Sequence, residues 1–488
     1  MAELKKQVVK GFLWATLEQC GTHVVTFVVS MVLARLLTPS DYGAVALLSI
    51  FILIAESLTN AGFGSALVQK KDATELDFNT VFFLSLSVGA VLYVVLYVFA
   101  PQIANFFKHP ELSVMFRVQS LAIFLCAVAS VQSAEISRRM LFNVSFRVSI
   151  IASIVSAAVG LACAFVGMGP WSLVWMSFSR SVVSIAVRQY FISWRPRLMF
   201  SWSSAGGLFK FGWKIAFAGL LDTIYGNLYS MLIGRVYTSA DMAFVNKGKS
   251  IPALAMNTIS GPINRVSYPV LTKLQSEPLN LRDGMRKMMV FSTFLVFPAM
   301  AGLIVCAPNL IPILFGNQWS ESVVYLQLAA FGFALWPFHL FNLQGMKAIG
   351  RSDWFLILEF IKKGLGLVIV LSTIWHSVFL MMAAFAFVDG PLCVLINSWP
   401  NRKLMSYPIW MQIRDVLPAA ACAILMGLAI LPFNYLSVPG WLVLAIQLPL
   451  GALAYLILAR FFKVSALNEA IDMLASRFPC FTRLKMHS

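Results

Sequence analysis

Hydrophobic residues run along this chain in blocks of roughly twenty, the length that crosses a bilayer as an α-helix, with short polar connections between them. Taken in order, the blocks predict about fourteen spans, near residues 12–34, 42–64, 79–101, 113–134, 147–167, 170–192, 213–236, 242–261, 288–307, 321–343, 354–375, 377–398, 412–432 and 440–461. The first block is not uniformly apolar. Gln19, Thr22, His23, Thr26 and Ser30 share one face at helical spacing. A span with such a stripe faces a bundle interior or a hydrated cavity, because lipid offers polar groups no partner. The stretch also recurs. A shift of 200 residues lays Lys10–Val45 on Lys210–Val245 without a gap, so that Lys10 meets Lys210, Ser30-Met31 meets Ser230-Met231, Arg35 meets Arg235, Thr38 meets Thr238, Asp41 meets Asp241 and Val45 meets Val245. Thr22 falls on Asp222, which keeps the polar face. Each copy opens a run of six spans in the same orientation. That implies two halves related by a pseudo-two-fold axis along the membrane normal, the build of secondary transporters with parallel repeats.

The expected fold class is therefore all-α integral membrane, with two pseudo-two-fold-related six-helix lobes and two C-terminal helices. Residues 1–192 form the N-terminal lobe, 193–212 a basic cytoplasmic linker lying along the interface, 213–398 the C-terminal lobe, and 399–488 the last two spans and a cytoplasmic tail on the inner leaflet.

Composition agrees with that pattern. Of 488 residues, 59% are hydrophobic and 12% charged, with a mean hydropathy of +0.81, more apolar surface than a soluble chain of this size hides. The net charge of +17 has two readings, a nucleic-acid partner or retention of short basic loops beside anionic lipid headgroups. The second is favoured, because the charges alternate. Lys70 and Lys71, Arg138 and Arg139, Arg195 and Arg197, Arg282 and Arg286, Lys347 and Arg351, and Arg402 and Lys403 fall in one set of connections, while Gly167–Pro170, Pro308–Ser320, Trp375–Ser377 and Asn434–Gly440 hold no Lys or Arg. Both termini fall on the basic, cytoplasmic side, and the first span has no cleavage site and is expected to be retained. The seven cysteines are scattered without a CxxC pair and read as small apolar residues. The chain has no Walker A, GxGxxG or HExxH motif and no loop long enough for a soluble domain, so neither enzymatic activity nor metal chemistry is expected.

Charges at membrane depth cost about 2.5–3.5 kcal/mol each on insertion scales, and each needs a reason. The basic set is Arg180, Lys247, Lys249, Lys362 and Lys363; the acidic set is Glu18, Glu56, Asp222, Glu359 and Asp389. Arg180 lies on a stripe with Ser177, Ser181, Ser184 and Arg188, and Asn246, Lys249, Asn257 and Asn264 follow one face of the eighth span. The functional reading is a hydrated cavity walled by spans one, two, seven and eight. Bland readings stand beside it. Arg35 and Arg235 at outer helix ends can snorkel, Glu359 can neutralise Lys362 or Lys363 one turn away, Asp389 can cap a helix break before Gly390-Pro391, and Tyr225 and Tyr229 can be packing residues.

Leu33-Ala34-Arg35-Leu36-Leu37, Pro39, Asp41-Tyr42-Gly43, Gly62-Phe63 and Ala66-Leu67-Val68-Gln69, with Phe244-Val245-Asn246-Lys247 in the eighth span, resemble the signature of the polysaccharide transporter family within the multidrug/oligosaccharidyl-lipid/polysaccharide flippase superfamily, near its colanic-acid-exporter branch. The resemblance covers essentially the whole chain. It implies a flippase of the bacterial inner membrane that moves undecaprenyl-diphosphate-linked oligosaccharide units, for exopolysaccharide, capsule, O-antigen or lipopolysaccharide biosynthesis, from the inner to the outer leaflet by ion-coupled alternating access. A proton or sodium gradient supplies the energy, no cofactor is needed, and partners are the lipid-linked oligosaccharide, membrane lipids and a polysaccharide polymerase or export machinery, not nucleic acid. On that reading Arg180, Lys247, Lys249, Lys362 and Lys363 hold the diphosphate, Asn246, Asn257, Tyr225 and Tyr229 contact sugars, and Glu18, Glu56 or Asp222 carries the coupling ion. This chain departs in supplying Lys at most deep basic positions where Arg is expected. Two alternatives remain, a multidrug or cation antiporter of the same superfamily, against which the deep lysines argue, and a membrane polysaccharide polymerase or ligase, against which the short, nearly uncharged outer loops argue.

Overall fold

The computed structural model describes residues 2–60, 63–70, 72–139, 141–192, 194–274 and 278–467. Among these every regular element is helical. The first half of the chain forms α1 (Ala2–Leu36), α2 (Pro39–Asn60), α3 (Phe63–Gln69), α4 (Glu75–Phe106), α5 (Leu112–Ser120), α6 (Ala122–Arg138), α7 (Phe142–Phe165), α8 (Trp171–Phe191) and α9 (Trp202–Val236). Then come α10 (Ser239–Lys273), α11 (Pro278–Phe315), α12 (Ser322–Ala334), α13 (Trp336–Ala348), α14 (Ser352–Thr373), α15 (Val378–Ala384), α16 (Gly390–Ser398), the short α17 (Asn401–Leu404), α18 (Ile409–Ile430) and α19 (Gly440–Phe461). Ten described helical stretches are long and apolar enough to cross a membrane. The remaining predicted spans coincide with α8, α9, α10 and α14, which carry Arg180, Asp222, Lys247 with Lys249, and Lys362 with Lys363.

Several predicted spans are broken helices. The break between α12 and α13 falls before Pro337, which lacks the N–H a continuous helix needs. Between α15 and α16 the chain makes a π-helical turn, Phe385–Asp389, closed by the Gly390 N–H on the Phe385 carbonyl just before Pro391. Asp389 makes no side-chain cap there. The capping role considered for it is therefore replaced by a π turn that absorbs the proline.

Contacts gather the chain into two compact units, Met1–Ala243 and Phe244–Ser488. In the first, α1 packs along α7, α7 along α8, and α2, α3 and α4 against α6 and α9. Its apolar core joins Leu33 of α1, Leu48 and Ile52 of α2, Phe116 of α5 and Val174 of α8. In the second, α11 is the spine against α12, α13, α18 and α19, and Phe294, Cys422, Met426 and Tyr455 share one buried cluster. The last two long helices thus belong to the second unit's core. The unit boundary differs from the lobes drawn from the repeat. By contact α9 goes with the first unit, and α10 crosses the boundary.

The repeat itself has a physical counterpart. α1 and α9 are both 35 residues long and lie in register at the 200-residue shift. Each is followed by a helix that opens on the same reciprocal N-cap, α2 after α1 and α10 after α9. The Thr38 hydroxyl and amide donate to Asp41 Oδ2 at 2.8 and 3.0 Å, and those of Thr238 donate to Asp241 Oδ2 at 2.7 and 3.0 Å. The two tips touch, with Ser40 Oγ 3.1 Å from Ser239 Oγ.

The linker is shorter than expected, because α9 begins at Trp202 rather than near 213. Ser201 accepts from the Ser204 amide and starts the helix, and Gly206 and Gly207 sit exposed in it, where glycine costs helix propensity but does not force a break. The segment before it is pinned to the start of α4. Arg197 N donates to Asn79 Oδ1 at 2.7 Å, Ser201 N to Thr80 Oγ1 at 3.2 Å, and the buried Asp77 carboxylate accepts from Lys70 Nζ at 2.7 Å, from the Thr74 amide at 2.9 Å and from Ser204 Oγ. Asp77→Asn keeps the shape and removes the charge, so it is expected to cost about 2 kcal/mol. A melting temperature equal to wild type in detergent contradicts this. The predicted inner-leaflet tail, from residue 468 onward, lies outside the described residues.

Candidate functional site

In the first unit the predicted residues have different environments. Glu18 bridges two helices, because its Oε1 accepts from Ser145 Oγ at 2.9 Å and Ser149 Oγ at 2.6 Å, both on α7. Along the polar face of α1, Gln19 and Thr26 are exposed and Thr22, His23 and Ser30 half-buried. Glu56 is half-buried on α2, Asp222 exposed on α9, Tyr225 half-buried and Tyr229 buried. Arg180 is exposed on α8. Arg35 and Arg235 occupy the last turns of α1 and α9, and the Arg235 guanidinium lies over the Phe106 ring at 4.6 Å. α2, α3, α6, α8 and α9 line an open pocket of ≈ 760 Å³ whose lining includes Ser57, Asn60, Cys126, Ser130, Ser133, Ser137 and Arg188. Sequence reasoning set Arg188 beside Arg180 but missed the pocket. The signal was the spacing of Ser130, Ser133 and Ser137, which brings three hydroxyls to one face of α6.

In the second unit α10 carries four of the predicted residues. Asn246 and Lys249 are half-buried, Lys247 buried and Asn257 exposed. Lys247 Nζ lies over the rings of Phe315 at 4.3 Å and Trp319 at 5.2 Å, and Lys249 Nζ lies 5.6 Å from the Phe385 centroid. An ammonium over a ring face is attracted by the ring quadrupole. On α14, Lys362 Nζ is 2.5 Å from Glu359 Oε1, the one-turn neutralisation considered from sequence, and Lys363 beside it is half-buried. Lys362 is also an electrostatic neighbour of Asp389 and of His339 on α13, and His339 Nδ1 lies 3.0 Å from Asn397 Nδ2. Two of the deep lysines thus meet the same π turn, Lys249 at its first residue and Lys362 near its last. His339 and Asn397 were not foreseen, because their partners come from helices distant in sequence.

The chain resembles known proteins along nearly its whole length. Residues 32–324 match the family described as polysaccharide biosynthesis protein. It is 24% identical to the teichuronic acid biosynthesis protein TuaB of Bacillus subtilis over 94% of this chain and 96% of that one. It is 23% identical to the succinoglycan biosynthesis transport protein ExoT of Rhizobium meliloti over 97% of each. Among solved structures, the lipid II flippase MurJ in an inward closed conformation superposes with a TM-score of 0.72 at 15% identity, covering 92% of this chain and 99% of that one. An inward-facing multidrug resistance MATE transporter of the MOP superfamily gives 0.61 at 15% identity over 79% and 94%. The chain is a multi-pass membrane protein that belongs to the polysaccharide biosynthesis protein family and has the fold of the MOP superfamily.

Proposed function

We propose that this chain is a flippase that moves undecaprenyl-diphosphate-linked oligosaccharide repeat units from the inner to the outer leaflet of the bacterial cytoplasmic membrane. The observation that carries the reading is a lysine-bearing α10, with Lys247 buried among aromatic rings, in a member of a polysaccharide biosynthesis family. Charged residues on membrane helices mark substrate and ion pathways, and a diphosphate is the anion such a substrate brings. Lys247 and Lys249 hold it, with Lys363, Arg180 and the partly neutralised Lys362 in supporting roles. Asn246, Asn257, Tyr225 and Tyr229 meet the sugars. The polyprenyl tail stays in lipid, and the site is exposed to one leaflet and then the other.

The cycle needs energy, and this chain has no nucleotide-binding motif, so a proton or sodium gradient drives it through Glu18, Glu56 or Asp222. Both termini are cytoplasmic, and the product is delivered to a polysaccharide polymerase or export machinery outside, of the colanic-acid type. The relatives are named for biosynthesis and transport of polymers, which favours transport over catalysis. The deep lysines disfavour a cation antiporter. The test is flipping of undecaprenyl-diphosphate-linked sugar by the purified chain in sealed vesicles, scored by accessibility to an outside enzyme.

A further inference from the structure

In the second unit α18 packs on α11 and α19, while α14 and α16 pack on α13 and on each other. Where the two groups part, α14, α16, α17 and α18 line an open groove of ≈ 770 Å³. Its lining joins the buried Leu358 and the exposed Ile361 of α14 with the exposed Leu395 of α16. Two tryptophans complete it, Trp399 at the end of α16 and Trp410 in the first turn of α18, 66% and 73% exposed. One charged residue, Arg402 of α17, lines the groove, and no Asp or Glu does. Among the described residues, no hydrogen bond or ion pair engages the Arg402 guanidinium. Lys403 beside it is exposed, and so is Arg414, one turn beyond Trp410 on the same face of α18. The carboxylates of these helices are already taken, Asp353 by Arg351 at 2.8 Å, Glu359 by Lys362 at 2.5 Å and Asp415 by Arg286 at 2.6 Å. α18 itself starts here without a side-chain cap or an acid in its first turn, so its positive end adds to the same field.

A lipid-facing groove that is apolar along its length and basic at one end matches an amphiphile with an anionic head. Tryptophan rings sit at headgroup level, guanidinium–phosphate bonds are charge-assisted, and basic pockets between membrane helices on the cytoplasmic side bind anionic headgroups. The charge rule places the connection with Arg402 and Lys403 on that side. We propose that the groove between α14, α16 and α18 holds an anionic phospholipid of the inner leaflet, its phosphate at Arg402 and one acyl chain along Ile361 and Leu395. This lipid is a resident of the fold and not its cargo. It fills the gap that the helices leave and ties α14 and α16 to the start of α18. The proposal goes beyond the flippase reading and does not depend on it.

The test is photolabelling of the full-length protein in phosphatidylethanolamine nanodiscs. The probe is a trace of phosphatidylglycerol with a diazirine in one acyl chain, and labelled peptides are identified by mass spectrometry. Label is expected on the peptides of α14, α16 and the start of α18, several-fold above other lipid-facing helices, and excess unlabelled phosphatidylglycerol is expected to remove it. A phosphatidylethanolamine probe with the same diazirine is expected to label these peptides no more than the rest. Arg402→Gln should lower the label about fivefold, the contribution of one basic side chain beside an anionic headgroup, and adding Arg414→Gln should lower it further. Leu395→Trp fills the groove without touching the charge and should lower the label as well. Arg197→Gln, which removes an exposed cation of the first unit, should leave it unchanged. Label spread evenly over the lipid-facing helices overturns the proposal, as does equal label from the phosphatidylethanolamine probe. So does label that persists in the Arg402→Gln, Arg414→Gln double variant or in Leu395→Trp. Undecaprenyl phosphate that displaces the probe more effectively than phosphatidylglycerol would give the groove to the carrier's tail and overturn the proposal too.

Discussion

Gly43→Ala is expected to cost about 3 kcal/mol, the upper part of the range for overpacking a well-packed contact, and to lower the melting temperature of the purified protein by several degrees. Gly43 is buried in the first turn of α2, where a Cβ would fall 1.7 Å from the Ser239 carbonyl oxygen and 2.4 Å from its carbon. The obstacle is backbone, which cannot swing aside as a side chain does. The strands of chain it separates are the tips of the two repeat copies, already joined by the 3.1 Å contact of Ser40 with Ser239. A second close approach lies a few residues on, where a Cβ at Gly234 of α9 would meet Leu47 Cδ2 at 2.1 Å. Gly226, on α9 with nothing within 4 Å of a built Cβ, is the control. Gly226→Ala should be neutral or stabilising by up to about 1 kcal/mol, because alanine is the better helix former. A wild-type melting temperature for Gly43→Ala would show that the two tips do not pack.

Lys247→Ala is expected to slow flipping about tenfold, and Lys247→Ala combined with Lys249→Ala about a hundredfold, the loss of one and then two charge-assisted contacts to phosphate. Lys247→Arg keeps the charge and should retain a large part of the rate. A merely structural lysine predicts another pattern. Lys247 packs over Phe315 and Trp319, so Lys247→Met would then preserve both stability and transport, whereas the flippase reading has Lys247→Met fold and fail to transport. Lys362→Ala should do less than Lys247→Ala, since Glu359 at 2.5 Å already takes part of its charge. Rates are compared per folded protein in the vesicle.

What could be read from the sequence depended on whether the signal was local. Span positions follow from runs of apolar residues, and the long helices cover those runs. The repeat was legible because Thr38 and Asp41, and Thr238 and Asp241, are three residues apart and cap the starts of α2 and α10. The pairing of Lys362 with Glu359 was likewise a matter of one helical turn. Contacts between helices far apart in sequence were not legible. Nothing near Glu18 announces Ser145 and Ser149, whose hydroxyls it accepts from across α1 and α7. The early start of α9 at Trp202 was hidden by Gly206 and Gly207, which read as a break and are tolerated in a helix held by Ser201 and by the anchor on Asp77. The π turn before Gly390 replaces an expected cap, because a proline's missing donor can be absorbed by widening one turn. The open pocket at Arg188 is lined from five helices, and only its serine spacing on α6 was visible beforehand.

The most direct measurement is flipping itself. Purified wild-type protein is reconstituted into sealed vesicles with undecaprenyl-diphosphate-linked sugar in the inner leaflet and a proton or sodium gradient imposed. The flippase reading predicts that the sugar becomes accessible to an outside glycosidase faster than in protein-free vesicles, that collapsing the gradient slows this, and that Lys247→Ala slows it about tenfold. Accessibility equal to that of protein-free vesicles, with folded protein present and the gradient intact, contradicts it.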